Sequence, residues 1–178
     1  MKRVAVIGNS CSGKSTFAQK LAQRVGAQHI ELDALYWREN WAPAPQEEFK
    51  SAVSEIVQQE RWILDGNYSA VRDIVWAQAT TIIWLNYSFP LVFSRALRRT
   101  FGRVLLQTEL WSGNRETFRQ TFFSGNSILW WVCKMHRPKR REHSVLFENP
   151  PYKHLQLIVI NSPREAEHFL STYSSSGK

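Results

Sequence analysis

Short apolar runs alternate along the chain with longer segments whose apolar residues recur at helical spacing. Apolar runs of about four to eight residues that end at turn residues are typical of buried strands. Five such runs predict strands at 2–8, 28–32, 61–66, 80–87 and 155–161. Because strands that alternate with helices form parallel sheets, the pattern predicts an α/β domain with a parallel sheet.

The segments between the strands carry the helical pattern. Their apolar residues recur every three or four positions, which predicts helices at 13–26, 45–60, 90–107, 127–142 and 162–173. Gly102 marks a possible break in the third helix. The fourth should end before Pro138, because the residue that precedes a proline disfavours helical backbone.

A polar, glycine-containing stretch interrupts this alternation between the fourth and fifth predicted strands. We therefore predict one domain over residues 1–173, with an insertion at about 108–144. The last five residues, 174–178, contain only Ser, Gly and Lys, and we expect this tail to be disordered.

The composition indicates the class of protein and its expected location rather than its function. The chain has 178 residues, 43% of them hydrophobic and 21% charged, which is ordinary for a soluble globular protein. Its cysteines, Cys11 and Cys133, are too few for a disulfide framework and lack metal-binding spacing. No apolar run is long enough for a signal peptide or a membrane-spanning helix. We therefore expect a cytoplasmic protein with no membrane partner.

The positive charge is concentrated in one segment. The whole chain carries a formal charge of +8, whereas the segment from Arg95 to Arg141 has eleven basic residues against two acidic ones, a net charge of +9. Such a segment is expected to face an anionic partner. Nucleotide phosphates, nucleic acid and an acidic membrane surface are the candidates.

The stretch GNSCSGKST after the first predicted strand has the spacing of a phosphate-binding loop, G-x-x-x-x-G-K-[ST]. Glycines allow the backbone N–H groups to surround phosphate oxygens, and the following helix offers the positive end of its dipole. Lys14 would reach the β- and γ-phosphates, and the Ser15 hydroxyl would bind Mg²⁺. The predicted nucleotide-binding residues of the loop are Gly8, Ser10, Cys11, Ser12, Gly13, Lys14, Ser15 and Thr16.

Two carboxylates lie at or near the ends of the next two predicted strands. Asp33 follows the strand at 28–32, and Asp65 lies near the end of the strand at 61–66. Because ligands bind at the carboxyl ends of parallel strands, both should lie beside the phosphate loop. There a carboxylate can organise Mg²⁺ or accept the proton of an attacking hydroxyl. We predict catalytic roles for Lys14, Asp33 and Asp65, and metal binding by Ser15 and Asp33.

The phosphate loop, with LDALYW at 32–37 and ILDGNY at 63–68, resembles the adenylate-kinase-like branch of the P-loop kinases. With GNRETFRQTFFSGNSILWW at 113–131 and HRPKRR at 136–141, the chain more closely resembles the bacterial DNA topology modulation proteins (FlaR-like). This resemblance implies a P-loop kinase fold with a five-stranded parallel sheet in the order 2-3-1-4-5, flanked by helices. It also implies a mobile basic lid between strands four and five, and ATP with Mg²⁺ on the loop.

The resemblance also implies roles for residues outside the phosphate loop. The acceptor would be bound by Asp33, Trp37, Gly66, Asn67, Tyr68 and Arg72. Catalytic lid arginines would be Arg137, Arg140 and Arg141, and the nucleotide would also be bound by Arg99 and Arg103. Planar arginine side chains suit phosphate oxygens, and a basic insertion supplies charge and excludes water. Adenylate kinases continue the DG turn with Phe-Pro-Arg, whereas this chain continues with Asn67-Tyr68-Ser69, which leaves the acceptor open.

Two functions follow from these features. The first is an ATP-dependent kinase that phosphorylates a nucleotide, a nucleoside or another small acceptor; ATP is favoured over GTP because the chain has no N-K-x-D guanine motif. The second is an ATP-binding regulatory protein associated with DNA, which the basic segment and the resemblance both suggest. We favour the kinase, because a kinase lid explains the same arginines.

Overall fold

The computed structural model of the protein describes residues 1–106, 110–114, 128–148, 152 and 154–173. Five parallel strands form one sheet in the order β2-β3-β1-β4-β5, which confirms the fold predicted from the sequence. The strands are β1 (Arg3–Gly8), β2 (Gln28–Glu31), β3 (Trp62–Asp65), β4 (Thr81–Leu85) and β5 (Gln156–Ile160).

Seven α-helices lie in the part of the chain that the structure describes. They are α1 (Lys14–Val25), α2 (Leu32–Tyr36), α3 (Gln46–Val57), α4 (Arg72–Gln78), α5 (Phe89–Leu106), α6 (Ile128–Glu148) and α7 (Pro163–Thr172). Short 3₁₀ turns occupy Glu39–Trp41, Ser69–Val71 and Trp111–Gly113. Parts of the predicted insertion, 108–109 and 115–127, and the predicted tail at 174–178 lie outside the described residues.

Alternate residues of the central strand β1 pack against helices on opposite faces of the sheet. Val4 and Val6 belong to a buried cluster with side chains of α1, α5 and α7. Ala5 and Ile7 belong to a second cluster with side chains of α3 and α4. Because every residue of β1 from Val4 onward is buried, this strand is held from both sides, and the loop that follows it starts from a rigid position.

The helix α6 continues through Pro138, so the prediction that it would end before this residue is wrong. A proline inside a helix loses one backbone hydrogen bond and costs about 3 kcal/mol. The helix continues because residues on both sides of the proline are packed: Val132, His136 and His143 are each buried. The tertiary packing therefore outweighs the local penalty. In α5, similarly, no break occurs at Gly102.

The short helices α2 and α4 were not predicted, and α2 changes the setting of Asp33. The strand β2 ends at Glu31, so Asp33 is the second residue of α2 rather than the residue that ends a strand. Only about one turn long, α2 is too short to show a helical period. Its anchor is Leu32, whose side chain is buried.

The helix α6 crosses the carboxyl end of β4. Near its beginning, Val132 packs in the cluster on the α1 face, whereas Phe147 near its end packs against the cluster on the α3 face. Between them, Nε2 of His136 lies 3.1 Å from the carbonyl oxygen of Tyr87, just after β4. The long helix therefore covers the carboxyl end of β4. Within the described residues, no helix is sufficiently long and apolar to cross a membrane.

The turn after β3 requires a glycine at position 66. Gly66 has φ +142°, and a Cβ there would lie 2.7 Å from Cβ of Leu32. We expect Gly66→Ala to lower the free energy of unfolding by about 1–3 kcal/mol, because the methyl group would displace α2. Urea denaturation measures this change.

The matched control is Gly102→Ala, where an added Cβ meets no atom within 4 Å. Gly102 lies inside α5, so alanine should stabilise the protein by up to about 1 kcal/mol. Equal effects of the two substitutions would contradict the packing described for Gly66.

Candidate functional site: the phosphate loop and its carboxylates

The loop between β1 and α1 has the backbone of an anion-binding loop. Cys11 and Gly13 adopt left-handed conformations, with φ +63° and +94°. The N–H group of Ser12 donates to the carbonyl oxygen of Asn9 at 3.1 Å and closes the turn. The first N–H groups of α1 have no partners within the helix and lie next to this turn. The loop can therefore surround an anion with backbone donors.

The side chains of the loop fit a phosphate group and a divalent cation. Oγ of Ser12 is buried without a hydrogen-bond partner among the described residues. Nζ of Lys14 donates to the carbonyl oxygen of Asn9 at 3.1 Å, so the ammonium group lies over the loop. Burial lowers the pKa of Lys14, while the carboxylates of Asp65 and Asp33 act in the opposite direction. Both carboxylates therefore act on the lysine through their charge.

Asp65 is the central carboxylate of the site. Its side chain is buried at the end of β3, and Oδ1 accepts a hydrogen bond from Oγ of Ser15 at 3.0 Å. Its other oxygen, Oδ2, lies 2.7 Å from Nε2 of His29. A hydroxyl and a carboxylate oxygen are ligands that Mg²⁺ prefers. Ser15 and Asp65 together could therefore hold a divalent cation.

Asp33 makes its hydrogen bond to a tyrosine of the turn after β3. Its Oδ1 accepts a hydrogen bond from the Tyr68 hydroxyl at 2.6 Å. Burial, followed by the nearby charge of Asp33, raises the pKa of Tyr68. The tyrosine therefore stays protonated and keeps donating to the carboxylate. The roles of Asp33 in metal binding and in acceptor binding both stay predictions.

Of the predicted acceptor residues, Asn67 bonds to the backbone of the phosphate loop, whereas Trp37 is partly exposed. The Asn67 carboxamide bonds both backbone groups of Gly8: Oδ1 accepts from Gly8 N at 3.3 Å, and Nδ2 donates to Gly8 O. Asn67 therefore holds the turn after β3 against the phosphate loop. Trp37 is partly exposed and packs edge-on against Tyr36 and Trp41, with ring centroids 4.9 and 5.7 Å apart.

Arg72 is bound to α6. Its guanidinium forms an ion pair with Glu142 and lies 5.6 Å from the centre of the Trp76 ring. Lys139 also donates to Glu142, at 2.8 Å. Both hydrogen bonds lower the pKa of Glu142, against the effect of its burial. This carboxylate therefore joins α4 to α6. A small cavity of about 20 Å³ is lined in part by Gly66, Asn67, Tyr68, Arg72 and His143.

The arginine that contacts the phosphate loop is one that the sequence did not single out. Nη1 of Arg95 donates to the carbonyl oxygen of Ser12 at 2.6 Å, and its guanidinium lies 5.3 Å from the centre of the Tyr87 ring. Arg95 precedes Arg99 by four residues, so the spacing on α5 could have identified it. Arg95 lines a cleft of about 290 Å³ that Gly13 and Pro163 also line.

The predicted lid arginines lie in two settings. Arg99 is partly buried, with its Nε unpartnered among the described residues, and its charge lowers the pKa of Lys14. Arg103 is partly buried on the same helix. In contrast, the three on α6 are exposed, and their contact with phosphate stays a prediction: Arg137, Arg140 and Arg141.

The fold and this site define a P-loop protein. The family model described as an AAA domain (AAA_33) matches residues 4–142, and the chain belongs to that family. No curated protein matched the sequence. Solved structures share its fold at low identity.

Three of these structures cover almost the whole chain. Shikimate kinase from Acinetobacter baumannii in complex with shikimate has a TM-score of 0.56 and 15% identity, covering 97% of this chain and 90% of its own. Gluconokinase from Sinorhizobium meliloti has a TM-score of 0.53 and 18% identity, covering 97% and 93%. Shikimate kinase from Aquifex aeolicus has a TM-score of 0.52 and 13% identity, covering 96% and 92%. These likenesses confirm the P-loop kinase fold.

His143 should make stability depend on pH. Burial lowers its pKa to about 4, and its ring packs edge-on against Trp84 with the centroids 5.6 Å apart. Between pH 6.5 and 4 the unfolded chain binds a proton that the folded protein does not, so stability falls as pH falls. This residue should contribute a loss on the order of 3 kcal/mol, from about 1.4 kcal/mol per pKa unit.

Urea denaturation of His143→Gln at pH 7 and pH 4.5 measures this effect, because the variant lacks the titrating group. Its loss of stability on acidification should be smaller than that of the wild type. The control is His168→Gln, which removes an exposed histidine and should keep the wild-type slope. Equal slopes for all three proteins would show that His143 is not buried as a neutral ring.

Proposed function

We propose that the protein transfers the γ-phosphoryl group of ATP to a small-molecule acceptor. The observation that carries this proposal is the placement of two carboxylates beside Lys14, one bonded to Ser15 and the other to Tyr68. In this proposal Asp65 holds a nucleotide-bound cation, and Asp33, which Tyr68 holds in place, orients an acceptor. The fold shared with proteins named shikimate kinase and gluconokinase supports the same class of reaction.

In the proposed reaction, an acceptor hydroxyl oxygen bonds to the γ-phosphorus while the bond from that phosphorus to the β–γ bridging oxygen breaks. ADP leaves, and Asp33 accepts the hydroxyl proton. Backbone N–H groups of the loop and Lys14 stabilise the charge that develops on the phosphoryl oxygens. Ser15 and Asp65 would hold Mg²⁺, which supplies further positive charge at the phosphates.

The cleft beside Arg95 is proposed to hold the nucleoside part of ATP. It opens from Ser12 and Gly13, so a group bound there continues directly from phosphates on the loop. The guanidinium of Arg95 lies between Tyr87 and the loop, where a flat ring can stack on it. Cys11 and Cys133 are not joined in a disulfide, which accords with the cytoplasmic location that we also propose.

Lys14→Met tests the reaction. Loss of the ammonium group should lower kcat by about 10²–10³-fold, because charge on the transferring group is no longer stabilised. ADP release in the presence of ATP, Mg²⁺ and a panel of nucleotides, nucleosides and hydroxyl-rich acceptors measures it. The control Lys50→Met removes a lysine of α3 that pairs only with nearby Glu47 among the described groups, and it should retain activity.

A second candidate function, ATP-dependent regulation on DNA, is favoured by exposed basic and aromatic side chains on α6. Trp130 is 61% exposed and Trp131 is 49% exposed, and Arg137, Arg140 and Arg141 are exposed on the same helix. If every acceptor fails while ATP binds, and duplex DNA binds at about 50 mM salt, this function replaces the kinase.

Arg95→Met tests the nucleotide cleft. Removing the guanidinium should raise the Kd for ATP about tenfold or more, because a stacked and hydrogen-bonded cation is lost. Isothermal titration with a non-hydrolysable ATP analogue measures it. Arg98→Met, which removes an exposed arginine from the same helix, should bind as the wild type does. Equal weakening in both variants would indicate general electrostatic attraction instead of a nucleotide cleft at Arg95.

A further inference from the structure

On its side that faces away from Ser15, Asp65 belongs to a second group of side chains that can bind a metal ion. The parallel register pairs Glu31 of β2 with Asp65 of β3. His29 precedes Glu31 by two residues, so both project from the same face of β2. One ligand atom from each of His29, Glu31 and Asp65 lies within 4.8 Å of the others. The sheet itself therefore brings an imidazole and two carboxylates together.

The chemistry of this group differs from that of an Mg²⁺ site. Mg²⁺ takes oxygen ligands, whereas an imidazole nitrogen with carboxylates suits Zn²⁺ and related transition metals. Ligand atoms lie about 2.0–2.2 Å from Zn²⁺, which places two ligands of a tetrahedral ion roughly 3.4 Å apart. His29 Nε2 and Asp65 Oδ2 are 2.7 Å apart, so a small side-chain rotation would admit the ion.

Both carboxylates have outer partners that would orient them toward a shared ion. Nε1 of Trp111 donates to Oε2 of Glu31 at 3.1 Å. Oγ of Ser15 donates to Oδ1 of Asp65 at 3.0 Å, which leaves Oδ2 directed at His29. Such outer hydrogen bonds fix the ligands of metal sites and raise their affinity. The group is also largely buried: the side chains of His29 and Asp65 are only 16% and 5% exposed.

We propose that His29, Glu31 and Asp65 form a binding site for a transition-metal ion of the Zn²⁺ class, distinct from the Mg²⁺ site at Ser15. The two sites share the Asp65 carboxylate, one at each oxygen. An ion on the His29 side would draw charge from that carboxylate and weaken Mg²⁺ binding. The metal ion at micromolar concentration would therefore inhibit the kinase, and this consequence rests on the proposed function. The binding of the metal ion to the three side chains does not.

Cobalt chloride is the probe, titrated into nucleotide-free protein in excess Mg²⁺ and followed by visible absorption. One Co²⁺ should bind per chain with a tetrahedral spectrum, and excess Mg²⁺ should not displace it. His29→Gln and Glu31→Gln should each weaken Co²⁺ binding by about tenfold or more. Trp111→Phe should weaken it by about tenfold, because the indole N–H that orients Glu31 is lost. His168→Gln, which removes an exposed histidine, should bind as the wild type does.

Absence of Co²⁺ binding, or unchanged binding by His29→Gln, would overturn the proposal and leave His29 as a hydrogen-bond partner that positions Asp65. A thiolate-to-cobalt charge-transfer band would also overturn it, because the ion would then lie on a cysteine. Thermal unfolding of each variant verifies folding, and Glu31→Gln keeps the test valid if His29→Gln is unstable. No nucleotide is present, so failure of the kinase assay and failure of this site are separate results.

Discussion

The hydrogen bonds between the Asn67 carboxamide and both backbone groups of Gly8 are the constraint on which the site depends. They tie the end of β3 to the end of β1, which are neighbouring strands of the sheet. Together with the β1–β3 ladder, which pairs Val6 with Asp65, they hold Asp65 beside the first turn of α1, where it meets Ser15. A carboxylate on a free turn would lose conformational freedom on binding a cation, whereas this one is already placed when the chain folds.

The strands and the phosphate loop could be predicted from the sequence because each has a pattern of neighbouring residues that identifies it. Buried strands show as apolar runs, and the glycine–lysine spacing of the loop follows from phosphate geometry. The sequence also placed Asp65 correctly at the end of β3. It missed α2 because five residues show no helical period, and it therefore put Asp33 in the wrong element.

Other parts of the site depend on contacts between residues far apart in the chain. His29 meets Asp65, and Arg95 meets Ser12, across 36 and 83 positions. No local pattern marks such pairs. The error at Pro138 has a similar origin: a rule about neighbouring residues predicted an end to the helix, whereas buried His136 and His143 hold it against the sheet on both sides of the proline. Long-range packing decided the outcome in each case.

The left-handed backbone of Cys11 has a consequence for how the loop meets its ligand. A residue other than glycine in this conformation costs on the order of 1 kcal/mol, and the fold bears that cost before any phosphate arrives. In contrast, the Lys14 ammonium is turned toward the carbonyl oxygen of Asn9. The loop backbone is therefore already set for an anion, whereas the Lys14 ammonium would exchange its bond to Asn9 for one to the phosphate, so an arriving phosphate redirects a side chain rather than reshaping a loop. Association should be limited by diffusion into the cleft and not by loop folding.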